Sequence, residues 1–359
     1  MSLTETPRDQ EGSPEKNGQT QNSVASSLRE LIMGFRNTQL ISVAAKLNLA
    51  EHLKSGPKTA EELSEITHTN PAGLHRLLRA LTSLGIFEEM EDGTFSATTS
   101  GALLRDDTPG SLRSMAVLYG AEWLWQAYAE LSYSVESGNT AFDFVHGQSF
   151  YVYLQQHPAA DAVFQKAMSD YSNSEASAII QAYDFSAARM IIDVGGGHGA
   201  FLSSVLKANP HASGVVFDLP SVIEKYLADL TSASRDLKIS YVPGDFFNCV
   251  PGGGDTYLLK SVLHNWDNKA CIEILKNVGK VMTAQHRILV IERVIPSGNE
   301  KSEAKLFDIN MLVVTGGRER TQEEYKKLFH AAGFRLTRII STKSPVSIIE
   351  ACPVPKQVV

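Results

Sequence analysis

Met190-Ile191-Ile192-Asp193-Val194-Gly195-Gly196-Gly197-His198-Gly199-Ala200 is the stretch from which the rest of the chain can be read. A short apolar run ends in an acid, and a glycine-rich turn then opens a helix near Ala200. The same pattern, an apolar run stopped by an ionisable residue and followed by a helix-like stretch, returns further on. Gly214 to Phe217 stops at Asp218, Ile239 to Val242 runs on to Asp245, Thr256 to Leu263 stops at His264, and Ile288 to Ile291 stops at Glu292. Strands alternating with helices predict βαβ units, hence an α/β fold with a doubly wound, mostly parallel sheet. Ligands of such sheets sit in the crevice beyond the carboxyl ends of the strands. Ionisable residues repeated along that edge predict a cofactor and substrate site, because a sheet built only for stability has no use for them there.

The bulk properties narrow the class. The 359 residues suffice for two domains with separate cores, and 43% apolar with 20% charged residues is ordinary for a soluble globular chain. A net charge of −7 leaves no electrostatic footprint for nucleic acid or an anionic membrane. No apolar run approaches the roughly 18 residues of a membrane span. Cys249, Cys271 and Cys352 are an odd, unpatterned set, which predicts a reducing compartment and neither disulfides nor a structural metal. Residues 1–22 are rich in Thr, Glu, Pro, Gln, Asn and Ser and lack the core of a signal peptide. They predict a disordered, solvated tail on a cytoplasmic protein.

The next stretch, 23–183, reads as mainly helical. Leu28, Leu31, Ile32 and Phe35 form a stripe at i, i+3, i+4 and i+7 that must be buried against something. Thr59 with Glu62 predicts a capped short helix, Asn70-Pro71 opens a second with Leu74, Leu77, Leu78 and Leu81 on one face, and Asp92-Gly93 turns a hairpin. Helix, turn, helix and hairpin make a winged helix. DNA binding is disfavoured, because the hairpin carries Glu88, Glu89, Glu91 and Asp92 and repels phosphates. From Leu112 to Tyr183 the chain is helical and aromatic, with enough rings for a core and for a few to line a pocket for a flat ligand. The boundary to the sheet domain, 184–359, is expected near Asp184.

The glycine loop and the helix after it suit a nucleotide-type cofactor, since glycines admit close backbone approach and helix N-termini favour negative groups. Gly195-x-Gly197-x-x-Ala200 also fits the dinucleotide fingerprint, with Asp218 placed for the ribose hydroxyls. Three features tilt the choice to S-adenosylmethionine. Asp193, directly before the glycines, suits a cationic amino group and would repel a pyrophosphate. Asp245 can accept from an adenine amino group while Phe246 flanks the ring. Nothing in the chain resembles hydride-transfer machinery.

His264, after the fourth strand, becomes a catalytic candidate because two carboxylates are within topological reach. Glu292 ends the neighbouring strand, and Glu319 follows the flexible Gly316-Gly317-Arg318 turn. A carboxylate on one imidazole nitrogen fixes the tautomer and leaves the other nitrogen as a base. A phenol, with a pKa of about 10, needs such a base before it attacks at neutral pH. Methyl transfer from a sulfonium is then an in-line displacement with no metal requirement, and no carboxylate cluster of metal-ligand type is present. The other histidines are weaker candidates: His198, in the glycine loop, fits a cofactor contact or a surface position equally, His146 is within reach of the pocket, and His286 and His330 read as strand-entry and helix-surface residues.

Asp193-Val194-Gly195-Gly196-Gly197-His198-Gly199, Phe217-Asp218-Leu219-Pro220, Gly244-Asp245-Phe246-Phe247, His264-Asn265-Trp266 and Gly316-Gly317-Arg318-Glu319-Arg320-Thr321 resemble, in order, the motifs of S-adenosylmethionine-dependent small-molecule O-methyltransferases. The group includes caffeate-type and hydroxyindole enzymes, and the short Met311 to Gly316 segment is closest to bacterial natural-product tailoring members. The likeness spans residues 24 to 352. It implies a Rossmann-like sheet domain with an N-terminal winged-helix dimerisation domain, and a homodimer. It implies His264 as base flanked by Glu292 and Glu319. Cofactor contacts are implied from Asp193, Gly195, Gly197, Asp218, Leu219, Asp245, Phe246, Lys260 and Ser172. An aromatic acceptor would meet Phe164, Met168, Asn265, Asn310 and Met311. The family often has Asp where this chain has Asn265, which leaves that contact in doubt. Some relatives catalyse hydroxylation or pericyclic reactions, or N- and C-methylation. A transcriptional regulator and an NAD-dependent oxidoreductase are the rival classes.

Overall fold

The computed structural model describes residues 14–229 and 237–355. The described residues up to Gly120 form one compact unit, and those from Ala121 onward form a second.

In the first unit, Thr59 and Glu62 close a reciprocal cap on the Ala60–Thr67 helix. The Glu62 amide donates to Thr59 Oγ1 at 3.2 Å, and the Thr59 amide to Glu62 Oε2 at 2.8 Å. Asn70 Oδ1 caps Pro71–Ser83, whose Leu74, Leu78 and Leu81 are buried with Leu63, Phe87 and Phe95. Strands β1 (Phe87–Glu89) and β2 (Phe95–Ala97) pair antiparallel across a turn in which Asp92 accepts from the Thr94 amide. The winged helix is therefore present. The tail is shorter than expected: residues 14–22 belong to a helix running Pro14–Ile32, while residues 1–13 lie outside the described ones. Proline is tolerated in a first helical turn, and the amphipathic residues after Ser23 carry the helix on. The stripe expected to be buried is open on this chain, with Leu28, Leu31, Ile32 and Phe35 all more than half exposed.

The second unit is built on strands β3 (Met190–Val194), β4 (Ser213–Asp218), β5 (Ile239–Pro243), β6 (Thr256–Lys260) and β7 (Arg287–Glu292). A short parallel pair, β8 (Val294–Ile295) with β9 (Arg320–Thr321), stands apart from them. The strands β10 (Phe334–Ser341) and β11 (Ser347–Pro353), which the apolar runs do not announce, complete a seven-stranded sheet. Its order is β10-β11-β7-β6-β3-β4-β5, parallel from β7 to β5, with β11 antiparallel to both neighbours. Neighbouring residues go to opposite faces and both faces are covered. Ile191, Leu258 and Leu289 pack on one, Ile192, Leu259 and Val290 on the other. That double burial is why these strands read as continuous apolar runs. Each such side chain contributes roughly 2 kcal/mol.

The chain leaves β3 towards β4 and β5 on one side, then returns to β6 and β7 on the other. The crevice between the ends of β3 and β6 is thus the switch point where such sheets hold ligands. The helices between 121 and 182 pack with this sheet unit, so the compact boundary lies at Gly120/Ala121 and not near Asp184. The cause is apolar packing: Ala176 and Ile179, on the Pro158–Ala182 helix, are buried with Phe201 and Leu202. The Thr256 to Leu263 run is a strand only as far as Lys260. Ser261 takes a left-handed conformation (φ +56°), and Leu263–Asn265 form a 3-10 turn. Among the described residues no helix is long and apolar enough to cross a membrane.

Candidate active site

β3 delivers Asp193 to the switch point with its carboxyl buried. Burial pushes its pKa up to about 7, with Lys260 pulling it down and Asp218 adding to the rise. The glycines that follow are only partly there for a ligand. A Cβ on Gly196 would lie 2.8 Å from the Asp193 carboxylate, and one on Gly195 2.8 Å from Val262, so packing alone demands glycine at both. Gly197 (φ +56°) has nothing within 4 Å of its missing Cβ, so the backbone can be approached there.

Asp218, at the end of β4, accepts from the Gly197 amide at 2.8 Å and the Leu219 amide at 2.7 Å, tying the glycine loop to the next strand. Burial raises its pKa, and the two amides work against the rise. Asp245 stands in the turn after β5, accepting from the Phe247 amide at 2.8 Å and from Asn248 at 3.1 Å, while Phe246 packs on Phe247 and Trp266. Lys260 ends β6 with its Nζ 2.7 Å from Glu175 Oε2 and 3.3 Å from Ser172 Oγ. Glu175 is buried, and its Oε1 has no hydrogen-bond partner among the described residues.

His264 lies in the 3-10 turn and is buried. Its Nδ1 donates to Glu319 Oε1 at 2.8 Å, the tautomer that leaves Nε2 as acceptor. Glu292, expected beside the ring, instead holds the loop. Its Oε1 accepts from the His264 backbone amide at 2.9 Å, and its Oε2 accepts from the Tyr325 hydroxyl at 2.6 Å. Burial alone would lower the imidazole pKa. The bond and charge of Glu319 and the charge of Glu292 outweigh it, so the net shift is upward, with Arg293 opposing.

The turn carrying Glu319 is locked to the His264 turn. The Arg318 amide donates to the His264 carbonyl at 2.8 Å, and a Cβ on Gly317 would collide with that same oxygen. Arg320 is fully buried, and among the described residues no carboxylate pairs with its guanidinium. It donates to the carbonyls of Leu263 (3.1 Å) and Trp266 (2.8 Å), which bracket His264, and to Asn268 Oδ1 (3.1 Å).

The expected acceptor residues are more scattered. Asn265 donates to the Ser261 carbonyl at 3.0 Å, Asn310 accepts from the Tyr128 hydroxyl at 3.0 Å, and Met311 is buried. Phe164 meets Phe150 edge-on, and Met168 is exposed. His146 bonds the Trp123 carbonyl and His286 accepts from the Thr283 amide, so both are engaged elsewhere. Among the described residues no group of three or more His, Cys, Asp or Glu is placed to hold a metal ion.

Residues 128–335 match the family profile described as an O-methyltransferase domain, and residues 29–107 match an O-methyltransferase dimerisation domain. The phenazine O-methyltransferase PhzM of Lysobacter antibioticus is 41% identical over 331 residues, 92% of this chain and 97% of that protein. The chain belongs to the O-methyltransferase family. The crystal structure of NcsB1, an O-methyltransferase from neocarzinostatin biosynthesis in complex with S-adenosylmethionine and 2-hydroxy-5-methyl naphthoic acid, superposes with a TM-score of 0.75 at 30% identity, covering 89% of this chain and 96% of that one. A phenazine-1-carboxylate N-methyltransferase of Pseudomonas aeruginosa is 32% identical over 330 residues, 92% of this chain and 97% of that protein.

Sequence reasoning missed Arg320, Tyr325 and Glu175 in this O-methyltransferase. Arg320 did carry a signal, as the second arginine of a glycine-rich motif leading into a two-residue strand. Tyr325 and Glu175 stand in ordinary helical sequence, and only the fold brings them to the strand ends.

Two outcomes follow for the methyltransferase site. Asp193 has a folded pKa above its unfolded value near 3.8, so the stability it provides is present at low pH and lost as pH rises towards about 7. Asp193→Asn should therefore stabilise the ligand-free protein, and by roughly 3 kcal/mol more at pH 8 than at pH 5. Denaturant melts at the two pH values measure this, and an equal effect at both would mean the carboxyl is not strained. Arg320→Met takes the 2.8 Å donor from the Trp266 carbonyl, leaving it only the Cys271 thiol, and removes one of the donors to the Leu263 carbonyl, so it should lower stability by on the order of 2 kcal/mol. An unchanged Tm would remove Arg320 as the clamp.

Proposed function

We propose that this protein transfers a methyl group from S-adenosylmethionine to a hydroxyl of an aromatic small molecule, with His264 as a metal-independent general base. The observation that carries the reading is the buried 2.8 Å bond from His264 Nδ1 to Glu319. It orients the ring and leaves Nε2 free to take a proton.

The residues at the switch point suit the donor. A buried carboxyl with a raised pKa, Asp193, is ready for a cation, and burial without a partner would otherwise keep it neutral. Gly197 offers open backbone, and one oxygen of Glu175 lacks a hydrogen-bond partner. Asp193, Gly195, Gly197, Lys260 and Ser172 would hold the amino-acid end, Asp218 and Leu219 the ribose, and Asp245 with Phe246 the adenine. When bound, the donor supplies an electrophilic methyl group on a sulfonium.

The protein's own residues do the rest. His264 Nε2 accepts the hydroxyl proton, and Glu319 stabilises the imidazolium that results. Glu292 and Tyr325 keep the His264 backbone in place during that change. Phe164, Met168, Asn310 and Met311 would line the acceptor, with Asn265 beside the base. A neutral amine acceptor needs no such base before attack, so the braced imidazole favours a hydroxyl over the nitrogen acceptor of the P. aeruginosa relative. The exposed stripe Leu28, Leu31, Ile32 and Phe35, in and beside the dimerisation-domain match, would be covered by a second copy of the chain.

His264→Ala should leave the dissociation constant for S-adenosylmethionine within about twofold and cut turnover by about a hundredfold or more. Turnover close to the parent's would remove His264 from the chemistry, and product appearing without S-adenosylhomocysteine would remove methyl transfer. Replacing both Leu28 and Leu31 by Glu should reduce the mass in sedimentation from that of two chains to that of one. A mass unchanged by both charges would place the contact elsewhere.

A further inference from the structure

Two carboxylates near a buried imidazole create a difficulty for a base. Glu319 is needed for the tautomer and Glu292 for the loop, yet both attract a proton onto the ring, and a protonated ring cannot accept another. Arg293, the residue after Glu292, supplies the opposite sign. Its side chain is only 3% exposed and its guanidinium carbon lies 3.9 Å from the centre of the Phe307 ring. Phe307 is in turn stacked with the His264 imidazole, at 6.2 Å between centres and 21° between planes. Imidazole and guanidinium therefore share one aromatic neighbour in a buried region where charges are weakly screened.

Arg293 is poorly explained as a structural ion pair. Its nearest acid, Glu303 at 3.4 Å, has a side chain 60% exposed and so is well screened. Its other partner on the same nitrogen is the Tyr171 hydroxyl, and its buried Nε has no hydrogen-bond partner among the described residues. Desolvation opposes its charge, but Tyr171, Glu319, Glu175 and Glu303 outweigh that and keep it a cation. The other charged or titratable groups around the imidazole are committed. Arg320 serves the loop carbonyls, Tyr325 donates to Glu292, and Asp308 accepts from the Glu319 amide at 2.8 Å.

We propose that Arg293 is a positioning charge which, across the shared Phe307 ring, keeps His264 deprotonated and available as the base between its two glutamates. The proposal rests on the reading of His264 as that base. Removing the cation raises the proton affinity of the ring, so a larger fraction is protonated below its pKa and none of the difference survives well above it.

The test is the pH dependence of kcat/KM in the full-length enzyme with an active acceptor, with an NMR titration of the His264 Cε1 proton in the same variants. Arg293→Met should move the acid limb and the NMR midpoint up together by roughly half to one pH unit. That makes kcat/KM about three- to tenfold lower below the limb, while the curves converge at high pH. Arg293→Lys, which keeps the charge, should return both close to the parent values. Should the methionine variant not fold, Arg293→Gln keeps a donor for Tyr171 and carries the same expectation. A uniform loss of kcat with neither midpoint moved would make Arg293 merely structural and overturn the proposal. So would a lysine variant displaced as far as the neutral ones. His264→Ala separates the two readings: an acid limb that persists without His264 defeats the assignment of the base, whereas one that vanishes with it leaves Arg293 to be judged on its own variants.

Discussion

The bond from His264 Nδ1 to Glu319 exists only because two turns are held against each other with little freedom. His264 sits just beyond β6, and Glu319 lies 55 residues further along, past two helices, two strands and a glycine turn. Neither side chain could enforce the pairing alone, since both would be well solvated outside the fold. Backbone contacts do it. The Arg318 amide meets the His264 carbonyl, Arg320 grips the carbonyls on either side, and Glu292 receives the His264 amide. Once those contacts form, the imidazole and carboxylate are delivered to each other in a region that excludes water, where a charge-assisted hydrogen bond is worth more than at the surface.

The strained and charged features nearby become intelligible from that constraint. Ser261 accepts a left-handed backbone, which costs of order 1 kcal/mol or more, because the chain must turn out of β6 within a few residues to reach the carbonyl positions that Arg320 requires. Gly317 has no side chain because any atom there would displace the carbonyl that Arg318 holds. A buried arginine with no carboxylate on it among the described residues is tolerable here because its charge is spread over four oxygens and a thiol sulfur.

How much of this could be read beforehand divides along physical lines. Strands buried on both faces announce themselves as apolar runs, and the ionisable residues at their ends are close by in sequence, so Asp193, Asp218, Asp245, His264 and Glu292 were legible together. The Thr59 cap and the Asp92-Gly93 turn were legible because their bonds span three residues or fewer. The function of Glu292 was not, because its neighbourhood to the ring suggested a ring partner when its bonds actually go to an amide and a tyrosine. Arg320, Arg293 and Glu175 depend on contacts between distant segments, which no local pattern encodes. The glycines misled in part. Gly195 and Gly196 are required by Val262 and the Asp193 carboxylate, and only Gly197 leaves space beside the backbone.

The proposed chemistry and the proposed specificity sit on different kinds of element. Base, brace and donor contacts stand at strand ends and in turns stitched to them by backbone hydrogen bonds, where small displacements are resisted from several sides. Apart from Asn265, the acceptor candidates stand on two helices, Pro158–Ala182 and Glu303–Val314, where Phe164, Met168 and Tyr171 fall on one face of the first and Phe307, Asn310 and Met311 on one face of the second. A helix face can change its side chains one at a time without breaking a backbone bond. Relatives at 30–41% identity can therefore keep one sheet edge while differing in the acceptors their names state. Arg293 and Tyr171 form the exception, since a hydrogen bond joins the strand end to the first helix and Phe307 covers the guanidinium from the second. On the proposed reading, substitutions there would alter the charge felt by the base and the shape offered to the acceptor at once, so that junction would couple acceptor choice to base strength.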